Sequence, residues 1–472
     1  MKKVFLLSII ILLTRSAYSQ GCSNANITLQ SDIPSTCNAL TMTMKQDILG
    51  RPYLYVANKE AGLKIYDITN LNAPVLVKTI PIDSLDMLHV MNLSQDSNYL
   101  YLALGNSFNN NQNPGMAIID VSNPETAFKT DVWNFTGNFG GSGIVKVENN
   151  YAYLGAMYRG LVILDITNKY NITFVSQFIP DRNYPTLNPD TSKYNARGMQ
   201  VKNDIVYLCY DAGGFRIINT TNKLNPEETG RYCNPALNGL PRAYNNLILD
   251  DTLVFIAVDY CGMEILNITD TSNVSLLSWW NPWDCQSNSL NWFHSPGYAN
   301  EIEFNKNCST IFLSTGNSQM RIVDVSNPLI PDSCNYYGTV GDSIAAWGLG
   351  LHNDNIFLAY ICSVIPFSSN YTGVKILTYS PCTTGKMEIK HEDNISVYPN
   401  PSSSTITISN LRFAIYDLRI TDVFGRIVYY QPIRNQQPSI INLPDLSNGI
   451  YYWEMKSDKG IEGKGKIVIM KN

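Results

Sequence analysis

A short phrase recurs seven times along this 472-residue chain, and its spacing leaves few folds open. The copies are Gly62-Leu-Lys-Ile-Tyr-Asp-Ile-Thr-Asn70, Gly115-Met-Ala-Ile-Ile-Asp-Val-Ser-Asn123, Gly160-Leu-Val-Ile-Leu-Asp-Ile-Thr-Asn168, Gly214-Phe-Arg-Ile-Ile-Asn-Thr-Thr-Asn222, Gly262-Met-Glu-Ile-Leu-Asn-Ile-Thr-Asp270, Gln319-Met-Arg-Ile-Val-Asp-Val-Ser-Asn327 and the shorter Gly373-Val-Lys-Ile-Leu-Thr-Tyr379. Their starts lie 53, 45, 54, 48, 57 and 54 residues apart. That spacing matches one four-stranded blade per copy, and so an all-β, seven-bladed propeller.

Each repeat has the same grammar. An apolar stretch such as Ile144-Val-Lys-Val147 meets a turn at Asn149-Asn150, and then comes a strand that ends in small residues (Tyr151-Ala-Tyr-Leu-Gly-Ala156). The glycine-led strand is third, and an Asp-Ile-Thr-Asn turn leads to a variable fourth strand such as Phe174-Val-Ser-Gln-Phe178. Short β-rich runs broken by Gly, Asn and Pro are strand-and-turn chemistry, and long helical periodicity is absent. The last repeat ends at Pro381-Cys382 without a fourth strand, while Asn26-Ile-Thr-Leu-Gln30 precedes the first repeat with no blade of its own. The N-terminal segment is therefore expected to complete the last blade, tying the ends together and removing an open edge. Asp67, Asp120, Asp165 and Asp324 could form a metal or catalytic ring. Asp and Asn also cap turns through backbone N–H groups, and that reading is preferred because successive copies sit in different blades.

The repeat resembles the LVIVD-repeat family over about residues 21–382, and the resemblance implies a propeller. Gln319 in place of glycine, and Thr378-Tyr379 in place of Asp-Ile, depart from its pattern.

The two ends read as addresses. Lys2 and Lys3, the apolar run Val4 to Leu13 and Ala17-Tyr18-Ser19 form a signal peptide over 1–19, with cleavage before Gln20. Ten apolar residues are too few to span a bilayer, and no other long apolar run exists. A lipoprotein modified at Cys22 is the rival reading; it would leave nine cysteines, and the apolar run ends too far upstream. The propeller is assigned to 20–382 and a polar linker to 383–393. From 394 to 472 the chain resembles the type A C-terminal sorting domain of the type IX secretion system. The residues that carry this are Val397-Tyr-Pro-Asn-Pro401, Ile406-Thr-Ile408, Asp422-Val-Phe-Gly-Arg-Ile-Val428, the Leu446–Tyr452 stretch and Gly465-Lys-Ile-Val-Ile-Met-Lys471. The resemblance implies a small Ig-like β-sandwich and a partner in the type IX machinery. It also implies a didermic bacterium of the Bacteroidetes type, and cargo that is released or attached to surface lipopolysaccharide once the domain is removed.

No chemistry-bearing motif stands out. Net charge is −5 with no Lys/Arg cluster, which is no footprint for nucleic acid or an anionic membrane. There are four histidines, no His-Glu-x-x-His and no Cys-x-x-Cys. Ser142 lies in Gly140-Gly-Ser-Gly143 rather than a Gly-x-Ser-x-Gly elbow, and Gly341-Asp-Ser-Ile344 is too short to argue from. No catalytic residue, metal site or cofactor is assigned, although propeller enzymes can assemble sites from several blades. Ten cysteines in an exported chain suggest disulfides. Register suggests Cys209–Cys233, Cys261–Cys285, Cys37–Cys362, Cys308–Cys334 and Cys22–Cys382, the last locking the closure.

Four of seven tryptophans fall in the connection between blades 5 and 6: Trp279, Trp280, Trp283 and Trp292, with Phe293 and His294 directly after. Trp279 and Trp280 are expected to pack between blades; Trp283, Trp292 and His294 are candidates for an aromatic binding platform. His89, Arg197, Tyr244, Asn300 and Trp347 fall near the starts of inner strands and should ring the channel mouth, with Arg242, Asp284 and Glu301 close by. A solvated channel entrance would use the same residues. The expected protein is a secreted or cell-surface binding module for a glycan or a protein. The alternative is an exported polysaccharide hydrolase or lyase, which would show an acidic pair or a His/Tyr cluster in the central pocket. A passive surface-layer component is a third reading.

Overall fold

Apolar runs bounded by turns, such as Tyr151-Ala-Tyr-Leu-Gly155 and Leu161-Val-Ile-Leu-Asp165, have the pattern of strands buried on both faces. In the computed structural model they are the middle strands of a four-stranded antiparallel sheet, and all but Tyr151 and Asp165 are buried. The described residues are 27–36, 43–106, 112–137, 140–187, 189–287, 298–316, 319–339, 344, 346–353, 355–361, 363–364, 367–368, 370–379, 396–409, 416–423, 425–433, 439–457 and 460–471. Contacts divide the chain into two units, Met1–Thr384 and Gly385–Asn472.

The first unit is built from seven such sheets, the blades. Their innermost strands are Thr43–Gln46, Val90–Asp96, Ile144–Glu148, Gly198–Lys202, Ala243–Asp250, Ala299–Asn305 and Ala346–His352. Blades 1 to 6 each run in sequence order from inside to outside. Blade 7 breaks the order: Ala346–His352, Asn355–Tyr360 and Gly373–Tyr379 are joined on the outside by Ile27–Pro34, with Ile27 opposite Tyr379 and Pro34 opposite Gly373. The N-terminal strand thus supplies the missing fourth strand.

Two positions on the second strand of each blade organise the core. The first is aromatic throughout: Tyr55, Tyr101, Tyr153, Tyr207, Phe255, Phe312 and Phe357 stand opposite Lys45, Ser94, Lys146, Gln200, Ile248, Glu303 and Gly350 of the innermost strands. Two residues on, the position is small: Ala57, Ala103, Gly155, Cys209, Ala257, Ser314 and Ala359. Large rings fill the wedge between blades, and small residues let the strands crowd toward the channel mouth.

The turn after the third strand has one mechanism in six blades. Asp67, Asp120, Asp165 and Asp324 each accept the backbone N–H two residues on, at 2.7–2.8 Å. Asn219 and Asn267 do the same at 2.9 and 2.8 Å. The repeated acid is a turn cap. The glycine that opens the third strand is equally mechanical: Gly160 has φ of 80°, and a Cβ there would lie 2.4 Å from the Phe178 carbonyl oxygen. Gln319, in the deviant copy, keeps a positive φ of 58° and accepts a hydrogen bond from the Tyr360 hydroxyl at 2.6 Å.

Equal spacing misleads for the cysteines. Cys261–Cys285 forms a disulfide with a Cα separation of 5.3 Å, but Cys209 and Cys233 are buried free thiols. Cys261 lies immediately before Gly262, in the turn between strands, whereas Cys209 lies five residues before Gly214, inside the second strand. The third strand separates Cys209 from the outer strand that Cys233 follows, and two strand spacings of about 4.8 Å exceed the reach of a disulfide. Cys209 therefore acts as the small core residue its position calls for. Cys308 and Cys334 are both disulfide-bonded. Cys22, Cys37, Cys362 and Cys382 lie outside the described residues.

The second unit has a three-stranded sheet (Ser396–Tyr398, Thr405–Ser409, Ser439–Asn442) and a four-stranded sheet (Ile427–Ile433, Tyr416–Thr421, Gly449–Ser457, Gly460–Ile469). Ile406, Ile408, Leu418, Ile420, Trp453, Met455 and Ile467 share its core. Among the described residues no helix of either unit is long and apolar enough to cross a membrane.

Candidate functional site

The innermost strands begin at one mouth of the channel, and four of them begin with a break in register: at Val90/Asn92, Tyr244/Asn246, Ala299/Ile302 and Ala346/Gly348. An extra residue on one strand shifts the alternation of side chains, so strict two-residue counting misplaces the side chains beyond the break. The breaks decide which predicted residues meet.

Arg197, Asn300, Glu301 and Trp347 do meet. They line one small cavity together with Met91, Asn92, Ser142, Gly143, Met157 and Asn245. Its open volume is about 40 Å³, room for a few waters or one end group of a ligand. The Arg197 guanidinium lies 5.5 Å from the centre of the Trp347 ring and donates to Asn300 Oδ1 at 3.3 Å. Asn300 in turn donates to the Trp347 carbonyl at 2.8 Å. Trp347 is 6% exposed, so it backs the arginine and offers no open platform. Among the described residues Arg197 makes no ion pair, and its remaining donors have no side-chain acceptor. Asn245 donates to the Ala299 carbonyl at 2.9 Å, while its buried Oδ1 has no partner.

Two acids stand at equivalent positions within the field of Arg197, one on each of two adjacent blades. Asp211 follows the second strand of blade 4 and Asp259 ends that of blade 5. Burial raises both above the usual carboxylate range; the charge of Asp211 adds to the shift at Asp259, and Arg197 opposes it at both. Asn195 donates to Asp211 at 2.9 Å, whereas the buried Asp259 Oδ1 has no partner. Neither acid stands out in sequence; the signal was their shared place three residues before the repeat glycines Gly214 and Gly262. At the cavity wall Glu301 accepts from Asn246 at 2.5 Å, and further along the innermost strands Lys45 pairs with Glu303 at 2.9 Å. Burial, with Lys45 nearby, lowers Lys146 to about 8.

The other candidates go elsewhere. Tyr244 is fully buried; its hydroxyl donates to Glu264 at 2.8 Å and accepts from the Asn234 N–H at 3.0 Å, so it belongs to the core between blades 4 and 5 rather than to the rim. Arg242 is consumed by the carbonyls of Ala212 and Leu237, at 3.1 and 2.7 Å. His89 lies 3.9 Å from Glu60, and burial, with Lys59 nearby, lowers its basicity. Trp279 and Trp280 pack between blades, donating to the Cys261 carbonyl and the Ser333 hydroxyl at 2.8 and 3.1 Å. Trp283 is half-buried and meets Trp280 edge-on with ring centres 5.2 Å apart. Asp284 is exposed. Trp292 and His294 lie outside the described residues. Among the described residues no group of three His, Cys, Asp or Glu could hold a metal.

Comparisons with known proteins agree with this architecture. The LVIVD repeat model matches residues 50–80, 89–126 and 140–179, in the first three blades, and the secretion system C-terminal sorting domain model matches residues 396–470. The chain thus carries LVIVD repeats and a sorting tail of the type that suggests export. Among solved structures, the WD40 β-propeller domain of Doa1 is similar at a TM-score of 0.51 and 8% identity, over 75% of this chain and 97% of that one. The C-terminal WD40 domain of Sif2 scores 0.47 at 10% identity, over 75% of this chain and 98% of that one. Saccharomyces cerevisiae Sqt1 scores 0.47 at 8% identity, over 94% and 100%. The likeness to the Doa1 domain, at so low an identity, shows a propeller fold and nothing of function. No curated protein matches the chain.

Proposed function

We propose that this chain is an exported recognition protein that grips a glycan or a surface protein at the mouth of its propeller channel, with Arg197 taking an anionic group of the ligand. One observation carries this reading. Arg197 is held in place by Trp347 and Asn300, yet it makes no ion pair among the described residues and faces a cavity. A planar guanidinium fixed from behind is pre-organised to pair with a carboxylate or a phosphate, so less freedom is lost on binding. The sorting tail supports delivery through the type IX machinery to the outer surface, or release from it. Attachment to lipopolysaccharide after removal of the tail belongs to the same reading.

The test is a glycan- and surface-protein-array screen of the purified chain, with Arg197→Gln alongside and product analysis of every polymer hit. Binding without turnover that weakens at least tenfold in the variant supports the reading. Binding untouched by the variant moves the site away from the mouth.

A second reading rests on Asp211 and Asp259. Polysaccharide hydrolases use two acids, one that holds its proton and one that is ionised, and the charge of Asp211 adds to burial in keeping the proton on Asp259. Polymer cleavage that Asp259→Asn abolishes would establish an enzyme.

A further inference from the structure

Arg216 and Arg321 occupy the same position in blades 4 and 6, two residues past the start of the repeat phrase (Gly214 and Gln319). Each lies between two aromatic rings. The Arg216 guanidinium is 4.9 Å from the ring centre of Tyr184 and 5.7 Å from that of Tyr210. The Arg321 guanidinium is 5.1 Å from Trp283 and 4.8 Å from Tyr336. Their electrostatic partners differ. Arg216 is fully buried and fully satisfied: it reaches both carboxylate oxygens of Glu228 at 2.9 and 3.2 Å, the Gly213 carbonyl at 3.1 Å and the Tyr184 carbonyl at 3.0 Å. Glu228 stands opposite Ile218 on the outer strand. The equivalent residue in blade 6, opposite Val323, is Ser333, and its hydroxyl is taken by the Trp280 indole.

Blade 6 therefore keeps the cation and both aromatic walls but lacks the carboxylate. Among the described residues the Arg321 side chain has no hydrogen bond and no ion pair, and its Nε is buried without a partner. The side chain is only half-buried; its outer nitrogens, which have no protein partner among the described residues, keep access to solvent and so to a ligand anion. Tyr336 is 49% exposed, so an aromatic face beside the guanidinium meets solvent. A guanidinium fork suits a carboxylate, and an aromatic wall suits the C–H face of a sugar ring. We propose that Arg321, with Trp283 and Tyr336, is a subsite for the carboxylate of an acidic sugar, a uronate, on a surface separate from the channel mouth.

Calorimetry on the full chain tests this, with oligomers of galacturonate, glucuronate and mannuronate as probes beside their methyl esters and a glutamate-rich peptide. At least one acid oligomer should bind, and its ester should not. Arg321→Gln should weaken binding tenfold or more, and Arg321→Lys, which keeps the charge but loses the fork, should fall between. Both variants should melt within about 2 °C of the parent, since Arg321 has no hydrogen-bonding protein partner to lose. Made in an Arg197→Gln background, Arg321→Gln should cost the same tenfold, which separates this subsite from the channel mouth. Binding of none of the three acids, equal binding by Arg321→Gln, or equal affinity for the peptide would overturn the proposal.

Discussion

Lys45 Nζ lies 2.9 Å from Glu303 Oε1, although Lys45 is on the innermost strand of blade 1, Glu303 is on that of blade 6, and blade 7 stands between them. The bridge is open because blade 7 presents glycine there: Gly350 sits at the register position of Lys45 and Glu303, and Gly348 precedes it by two. Glu303 raises the Lys45 pKa despite burial. Nearby, Lys146 is lowered to about 8, first by burial and then by the charge of Lys45. Lys45→Met should therefore raise the Lys146 pKa, because the repulsion goes and Glu303 is left free to pair with Lys146. NMR titration of labelled lysine side chains reads this directly; an unmoved or lower value would show that Lys45 does not set it.

Glu264 is fully buried, accepts from Asn234 and Tyr244 at 2.8 Å each, and has its pKa pushed up to about 7 by that burial. The folded state therefore holds the Glu264 proton more tightly than the unfolded chain does. Its contribution is greatest below the unfolded value near 4.5, declines as pH rises through the window to about 7, and is flat above that. Over that window the loss is about 3 kcal/mol at most. Glu264→Gln should flatten this part of the stability curve and leave the variant more stable than the parent at pH 8. Urea unfolding from pH 4 to pH 8 checks it, and parallel curves for the two proteins would refute the assignment.

The two kinds of cysteine should separate by experiment. Mapping without reduction should show Cys261 joined to Cys285, and Cys209 and Cys233 alkylated only after unfolding. Removing the disulfide by Cys261→Ser with Cys285→Ser should cost about 3 kcal/mol, given the loop length. Cys209→Ala should cost under about 1 kcal/mol, because the equivalent residue is already alanine in blades 1, 2, 5 and 7. A loss at Cys209 as large as that of the disulfide would mean that the thiol has a role beyond filling space.

Gly160→Ala forces a Cβ to 2.4 Å from the Phe178 carbonyl at a φ of 80°. It should destabilise the propeller by about 2 kcal/mol, read as a fall in the urea midpoint at constant slope. Gly137, which also has positive φ but open space around it, should tolerate alanine at about half that cost. Equal costs at the two positions would make conformation, rather than the close approach, the whole effect.

Much of the fold is legible because repetition averages out local accidents. The Asp-x-Thr-Asn phrase reads as a turn cap on sight, and a last repeat with three strands requires a fourth from elsewhere, which Ile27–Pro34 supplies. Positions decided by a single bulge or by register are not legible. The break after Tyr244 turns that ring into the core, and a four-residue offset separates a bonded cysteine pair from an unbonded one despite equal spacing. Part of the candidate site is hidden for another reason. The significance of Arg321 lies in Ser333, a residue unremarkable until it is laid over Glu228 of another blade.

The pairing of Ile27 with Tyr379 sets a rule for how this molecule can be made. Ile27–Pro34 is made before the rest of the propeller yet completes the sheet that ends at Tyr379, so the ring cannot close until Tyr379 has been added. Until then every intermediate carries an unsatisfied strand edge. A chain cut short before Gly373 leaves Ile27–Pro34 without its partner strand and keeps open the edge that the whole molecule closes.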